Sequence, residues 1–442
     1  MKKYLFGLAA LTLLAMPLSA TKHEFKTVPG DPLQTKMYTL PNGLKIFMTV
    51  NKDQPRIQTY IAVRVGGKND PAETTGLAHY FEHLMFKGTK QFGTSDYAAE
   101  EPMLNQIEQL FETYRHTTDS IERRHIYHEI DSISYEASKI AIPNEYDKLM
   151  SAIGANGTNA YTSYDVTCYV EDIPSNQIDN WARIQADRFE NPVIRGFHTE
   201  LETIYEEKNM SLTKDNRKVY EKLLSALYPS HPYGTQTVLG TQENLKNPSI
   251  TNVKNYHKQW YVPNNMAIAL SGDFDPDQMV DTIEKYFGHL KPASNFNRPA
   301  LPKEKPFTSP QTVEVVGPEA EYVTVAWRTP EAASKDANAL SVLDYVMNNG
   351  STGILDLNVN LPQRVLNAGA YVMDMADAGA YVMTAMPKAG QTLDDAKDIM
   401  LEQVAKLRNG DFSEEFIKAV TANLKLQQQN ALTSNAVSYT HL

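Results

Sequence analysis

Gly76-Leu77-Ala78-His79-Tyr80-Phe81-Glu82-His83-Leu84-Met85-Phe86-Lys87-Gly88 is the stretch on which the reading of this chain turns. Glycines bound a short apolar run, which predicts a helix of two or three turns that Gly88 ends. Side chains four apart on a helix stand one above the other, so His79 and His83 can reach one metal ion. Glu82 stands close to the same face. Leu77, Leu84 and Phe86 are left for burial. The order His-x-x-Glu-His suits a zinc hydrolase, with two imidazoles for the metal and a carboxylate to move a proton. Such a site takes three protein ligands and leaves a position for water, so a third must come from elsewhere. The best source is the acidic helix predicted from Thr199 to Met210, where Glu200 and Glu207 are two turns apart on one face. Glu206, adjacent to Glu207, would point about 100° away from it on an ideal helix.

Further blocks carry more information: Val65-Gly66-Gly67-Lys68-Asn69-Asp70 before the motif; Asn159-Ala160-Tyr161-Thr162-Ser163-Tyr164-Asp165-Val166-Thr167-Cys168-Tyr169-Val170, His231-Pro232-Tyr233-Gly234 and Trp260 to Phe274 after it. Together they resemble the pitrilysin family of zinc metallopeptidases, the inverzincins, which includes insulysin and the mitochondrial processing peptidases. The resemblance runs from about Met37 to Leu290. It implies Glu207 as the third ligand, Glu200 as the carboxylate supporting the ligands, one Zn2+ per chain, and Glu82 as general base. It also implies that the strand read from Tyr161 to Val170 is a sheet edge to which an extended peptide adds. Asn159 and Ala160 are then the substrate contacts.

The spacing departs from the family. Glu207 follows His83 by 124 residues, where the resemblance implies roughly seventy to eighty. Residues 97–150 account for the excess as an inserted helical hairpin, with apolar residues at helical spacing on both sides of His116-Thr117-Thr118-Asp119-Ser120. His125, His128 and Glu129 within it mimic a ligand set, but they read as the polar face of the hairpin.

Residues 1–20 have the basic start, apolar stretch and small-residue end of a signal peptide, so export to the periplasm or beyond the cell is expected. No other apolar run could span a membrane. Cys168 is the only cysteine, which excludes an internal disulfide and leaves stability to the cores. A net charge of −11 argues against nucleic acid or an anionic membrane as partner.

Five prolines between Lys291 and Gln311 mark an extended linker. Beyond it the pattern starts again: strands at Thr312–Val316 and Tyr322–Trp327, a helix at Ala337–Met347, a strand pair at Ala370–Met386 turning at Gly379, and helices at Leu393–Leu407 and Ser413–Asn430. The predicted fold class is α+β, with two related domains that each pack helices on an antiparallel-rich sheet. A zinc-binding domain covers 21–290, and a second, metal-free pitrilysin-like domain, incomplete at its C-terminus, covers 312–442. The expected function is an exported zinc endopeptidase acting on peptides or unfolded segments. The alternatives are a non-catalytic peptide-binding subunit, or an N-terminal portion needing a second pitrilysin-like half or partner subunit. Arg364 and Tyr371 match in type the Arg and Tyr that the second half supplies in the family, but they sit in the wrong half and read as structural.

Overall fold

The computed structural model describes residues 23–432, so the expected signal peptide lies outside the described residues. The chain opens with three strands, β1 (Lys36–Thr39), β2 (Lys45–Val50) and β3 (Arg56–Val63), and the short helix α1 (Leu77–Leu84). Three helices follow: α2 (Tyr97–His116), α3 (Ser120–Ser138) and α4 (Glu145–Ala152). The hairpin β4 (Asn156–Thr162) and β5 (Thr167–Pro174) leads to α5 (Ile178–Glu190), α6 (Phe197–Leu212) and α7 (Asp215–Leu227). Short helices α8 (Pro232–Thr235) and α9 (Gln242–Leu245) precede α10 (Ile250–Trp260), β6 (Met266–Gly272) and α11 (Pro276–Phe287). After an irregular stretch come β7 (Val323–Thr329), α12 (Ala337–Met347), β8 (Asn367–Met373), β9 (Gly379–Met386), α13 (Leu393–Asn409) and α14 (Glu414–Ala431).

Two sheets organise these elements. The first has the order β1-β2-β6-β3-β5-β4, antiparallel except for the β2–β6 pair. The second has the order β7-β9-β8 and is antiparallel throughout. Alternation along the first sheet sorts its side chains by face, as a period of two requires. Ile57, Ile61, Ile268 and Leu270 share a core with Trp181 and Phe189 of α5 and Ile283 and Phe287 of α11. Tyr60, Cys168 and Ala269 form a separate small cluster. Each large side chain so buried contributes about 1.5–3 kcal/mol. The second sheet has its own core of Met383, Ala385, Val346, Leu355 and Met400. This is the α+β architecture that the sequence implies. The edge position of β4 leaves one side of that strand without a strand partner among the described residues.

Several elements differ from expectation. The single strand read over Tyr161–Val170 is a hairpin: Ser163 Oγ accepts from the N–H groups of Asp165 and Val166, which turns the chain between β4 and β5. A serine turn inside a β-branched and aromatic run leaves the period undisturbed and is easily overlooked. Thr312–Val316 forms no strand, because that segment is exposed and finds no strand to pair with. The β8–β9 turn is residues 374–378, and Gly379 is the first residue of β9. Helix α4 and a turn of π-helix at Asp356–Asn360 are not foreseen by the sequence pattern.

Candidate active site

Helix α1 is held at both ends by buried side chains, an acid at its start and a cation at its end. Its preceding residue, Gly76, has φ +89°, and a Cβ there would stand 2.9 Å from the backbone of Gly240, so glycine is required. The buried Asp70 carboxylate accepts from Gly76 N–H (2.7 Å) and Ala78 N–H (3.0 Å), satisfying donors that begin the helix. At the other end the fully buried Arg188 donates from Nε to Met85 O (2.9 Å). A cation there matches the negative end of the helix dipole. Leu77, Ala78, Tyr80, Phe81 and Leu84 are buried, which commits the remaining face, with His79, Glu82 and His83, toward α6 and β4. Tyr80 locks the two helices by donating its hydroxyl hydrogen to Phe197 O.

Three side chains converge there. His79 Nε2 and His83 Nε2 are 3.3 Å apart, and Glu207 Oε2 lies 3.7 Å from the first and 3.8 Å from the second. Glu200, one helical face with Glu207, approaches His83 Nδ1 at 3.7 Å and pairs with Lys87. Glu206 is exposed and bonds Asn209 instead. Glu82 accepts from Thr162 Oγ1 at 2.5 Å, so the edge strand reaches this carboxylate directly. Asn159 and Ala160 lie on the same strand. His125, His128 and Glu129 are exposed on α3 and belong to no metal-sized grouping among the described residues. Arg364 is paired with Glu402 at 2.6 Å.

The electrostatics follow from burial and from the carboxylates. Burial, with the nearby His83 and Arg217, lowers His79 to about 4, so its ring is neutral and free to bind a metal at neutral pH. Burial also pulls His83 down, but its contact with Glu200 and the charges of Glu207 and Glu82 outweigh this, and its pKa is raised. Burial raises Glu82, against the opposing Thr162 hydrogen bond and His83 charge. Glu200 is lowered despite its burial, because His83 and Lys87 both favour its charged form.

The donor set fits zinc. Bonds of about 2.0–2.1 Å arranged tetrahedrally have ligand atoms about 3.4 Å apart, and the three separations here are 3.3, 3.7 and 3.8 Å. His79 Nδ1 is buried without a hydrogen-bond partner, while its Nε2 faces the group. Sequence reasoning missed Thr162, Asp70, Arg188 and Lys87. From the sequence Thr162 reads only as part of a strand; its bond spans 80 positions and leaves no local signal.

Known proteins resemble this chain throughout its length. The insulinase (peptidase family M16) profile matches residues 46–118, and the profile described as the peptidase M16 inactive domain matches 249–424. The chain is 22% identical to the zinc protease PqqE of Helicobacter pylori over 449 aligned positions, covering 99% of this chain and 86% of that protein. It is 27% identical over 266 positions to the probable mitochondrial-processing peptidase subunit beta of Schizosaccharomyces pombe, covering 59% of this chain and 46% of that one. In fold it resembles a protease from Helicobacter pylori, with TM-score 0.71, 20% identity and 92% and 87% of the two chains covered. The first half of the periplasmic protease PqqL from Escherichia coli gives 0.64, 16%, 93% and 80%. Pitrilysin gives 0.61 and 16%, with 88% of this chain but 38% of pitrilysin covered.

Proposed function

This chain belongs to the insulinase, or M16, family of peptidases, and on that premise we propose that it is a zinc-dependent endopeptidase acting on peptides or unfolded segments. The observation that carries the reading is the convergence of His79, His83 and Glu207 beside the buried Glu82, at the foot of a sheet edge that has no further strand partner among the described residues. Zinc bound by His79, His83 and Glu207 would polarise the scissile carbonyl and make a water acidic enough to attack near neutral pH. Glu82 accepts the proton of the attacking water and returns it to the leaving amine nitrogen. Its raised pKa suits both transfers. Thr162 holds the Glu82 carboxylate in one orientation, and Glu200 steadies the His83 ring from its outer nitrogen.

The substrate lies along β4 as an added strand, held by main-chain hydrogen bonds past Asn159 and Ala160. That mode reads backbone before side chains and selects extended segments. The domain division is 21–290 with the zinc site, a linker at 291–311, and 312–442 without metal. A second pair of domains, in the same chain or in a partner subunit, completes the enclosure; the 38% coverage of pitrilysin and the subunit named in the mitochondrial relative support this. Export to the periplasm is supported by the likeness to the periplasmic protease PqqL and by the leader-like residues 1–20. No helix among the described residues is long and apolar enough to cross a membrane.

The test is metal analysis of the purified protein together with cleavage of an unstructured peptide. About one zinc per chain and hydrolysis that a chelator abolishes are expected. Zinc without any cleavage, even with a second half or at high protein concentration, would favour the non-catalytic peptide-binding reading instead.

A further inference from the structure

A buried ammonium shared by two carboxylates joins the two sheets next to the candidate active site. The Lys68 side chain is 7% exposed, and its Nζ lies 2.5 Å from Asp165 Oδ1 and 2.5 Å from Asp377 Oδ2. Tyr233 donates its hydroxyl hydrogen to Asp165 Oδ1 (2.7 Å) and accepts the Asp377 N–H (3.1 Å). The Ala376 N–H donates to Asp165 Oδ2 at 3.1 Å. His231 Nδ1 accepts from Tyr233 N–H, so the neutral ring carries its proton on Nε2. That buried nitrogen has no hydrogen-bond partner and stands 3.6 Å from Asp377 Oδ2.

These groups come from four segments: the run before α1, the β4–β5 turn, α8, and the β8–β9 turn of the second sheet. Backbone contacts tighten the first two, with Gly67 N–H donating to Ser163 O (3.0 Å) and Lys68 N–H to Tyr164 O (3.1 Å). A Cβ on Gly66 would lie 2.3 Å from Ser163 O, so the approach depends on glycine. The turn so clamped begins directly after Thr162, the residue bonded to Glu82.

We propose that Asp377 is a positioning residue for the candidate active site: through Lys68 and Asp165, the second sheet fixes the β4–β5 turn, and with it the β4 edge and the Thr162–Glu82 bond. Only the ammonium is buried: the Asp165 side chain is 21% and that of Asp377 39% exposed, so the pairs add little net stability, and what they supply is a fixed position for two loops around one buried cation. Here the imposed geometry is that of a sheet edge, which by itself has a partner on one side only. Asp377 touches neither substrate nor metal and acts through others.

The experiment is Asp377→Asn in the full chain, read by hydrogen exchange, zinc content and kinetics. Exchange of the amides in residues 156–166 should speed up about tenfold or more while those of β2, β3 and β6 keep their rates. Zinc content should be unchanged. The kinetic arm rests on the peptidase reading: kcat should fall about tenfold, with KM less affected, because a displaced Glu82 costs rate more than binding. Tyr233→Phe, which removes the hydroxyl between Asp165 and Asp377 N–H, should give the same pattern and guards against a single variant that misfolds. Exchange that speeds up only within β7, β8 and β9, or not at all, overturns the proposal and leaves the cluster a tie between sheets. A parent protein with no peptidase activity defeats the functional reading alone, since the exchange arm still decides the positioning role.

Discussion

Glu207→Gln keeps the volume of the side chain and removes its negative charge, so it tests the third ligand with little disturbance of packing. Among the described residues Glu207 is the only carboxylate whose oxygen lies within 4 Å of both His79 Nε2 and His83 Nε2, at 3.7 and 3.8 Å, and its side chain is 41% exposed, so the substitution strands no buried charge. The loss should therefore appear in metal binding and hardly at all in the stability of the metal-free protein. With free zinc at a hundred times its dissociation constant, binding stabilises the folded state by about 2.7 kcal/mol. For units of this size that is a rise of roughly 5–10 °C in Tm. Thermal unfolding with zinc and with a chelator measures the difference directly, and elemental analysis gives the occupancy. The parent protein should show the full zinc-dependent rise and Glu207→Gln little of it, while the two agree in chelator. Glu206→Gln, one residue away and pointing to solvent, should behave as the parent. If Glu207→Gln keeps its zinc and its thermal shift while Glu206→Gln loses both, the assignment of the third ligand is wrong.

Other expectations follow from the same geometry. Glu82→Gln should keep zinc and bind an extended peptide yet lose hydrolysis by about a hundredfold or more, measured as single-turnover cleavage; near-normal turnover would remove Glu82 from its role. Arg188→Met takes a cation from a site where Arg188 and Glu171 are both 0% exposed and leaves Met85 O and Tyr146 without its hydrogen bonds. A loss of about 3–5 kcal/mol in denaturant unfolding is expected, and a loss under about 1 kcal/mol would contradict it. Acidification should release zinc through His83 first. Its raised pKa means that protons compete for the ring above the usual histidine value, whereas His79, at about 4, is protonated only in much stronger acid. Zinc affinity should therefore be fully present at alkaline pH and decline as pH falls through the His83 value. Glu200→Gln should move that decline to lower pH, and no movement in a zinc titration across pH would show that Glu200 does not act on His83.

The candidate site was legible in part because its helix carries two histidines and a glutamate within five consecutive residues. Helical spacing alone brings such residues to one face. Glu200 and Glu207 were legible for the same reason, as a seven-residue pair on one helix, though choosing Glu207 needed the family resemblance. The second sheet was legible where its elements are regular: α12 begins and ends at the residues expected, and β7 lies within two residues of its expected bounds at either end. Exposed Thr312–Val316 had strand composition without a strand partner, and composition cannot report a missing partner. The serine turn at Ser163 was hidden because it interrupts neither alternation nor hydrophobicity.

Local order in the sequence determined what depends on periods of two and 3.6: the fold class, the helix with His79, Glu82 and His83, the acidic helix and the hairpin helices. Tertiary structure alone decided which distant groups complete them. Thr162 reaches Glu82, Arg188 closes the end of α1, and Asp377 of the second sheet meets Lys68 beside the first. The reason is physical: a hydrogen bond or ion pair is set by distance in space, and the chain between its partners records nothing of it. Spacing can show that two side chains share a face; only the packed structure shows what that face meets.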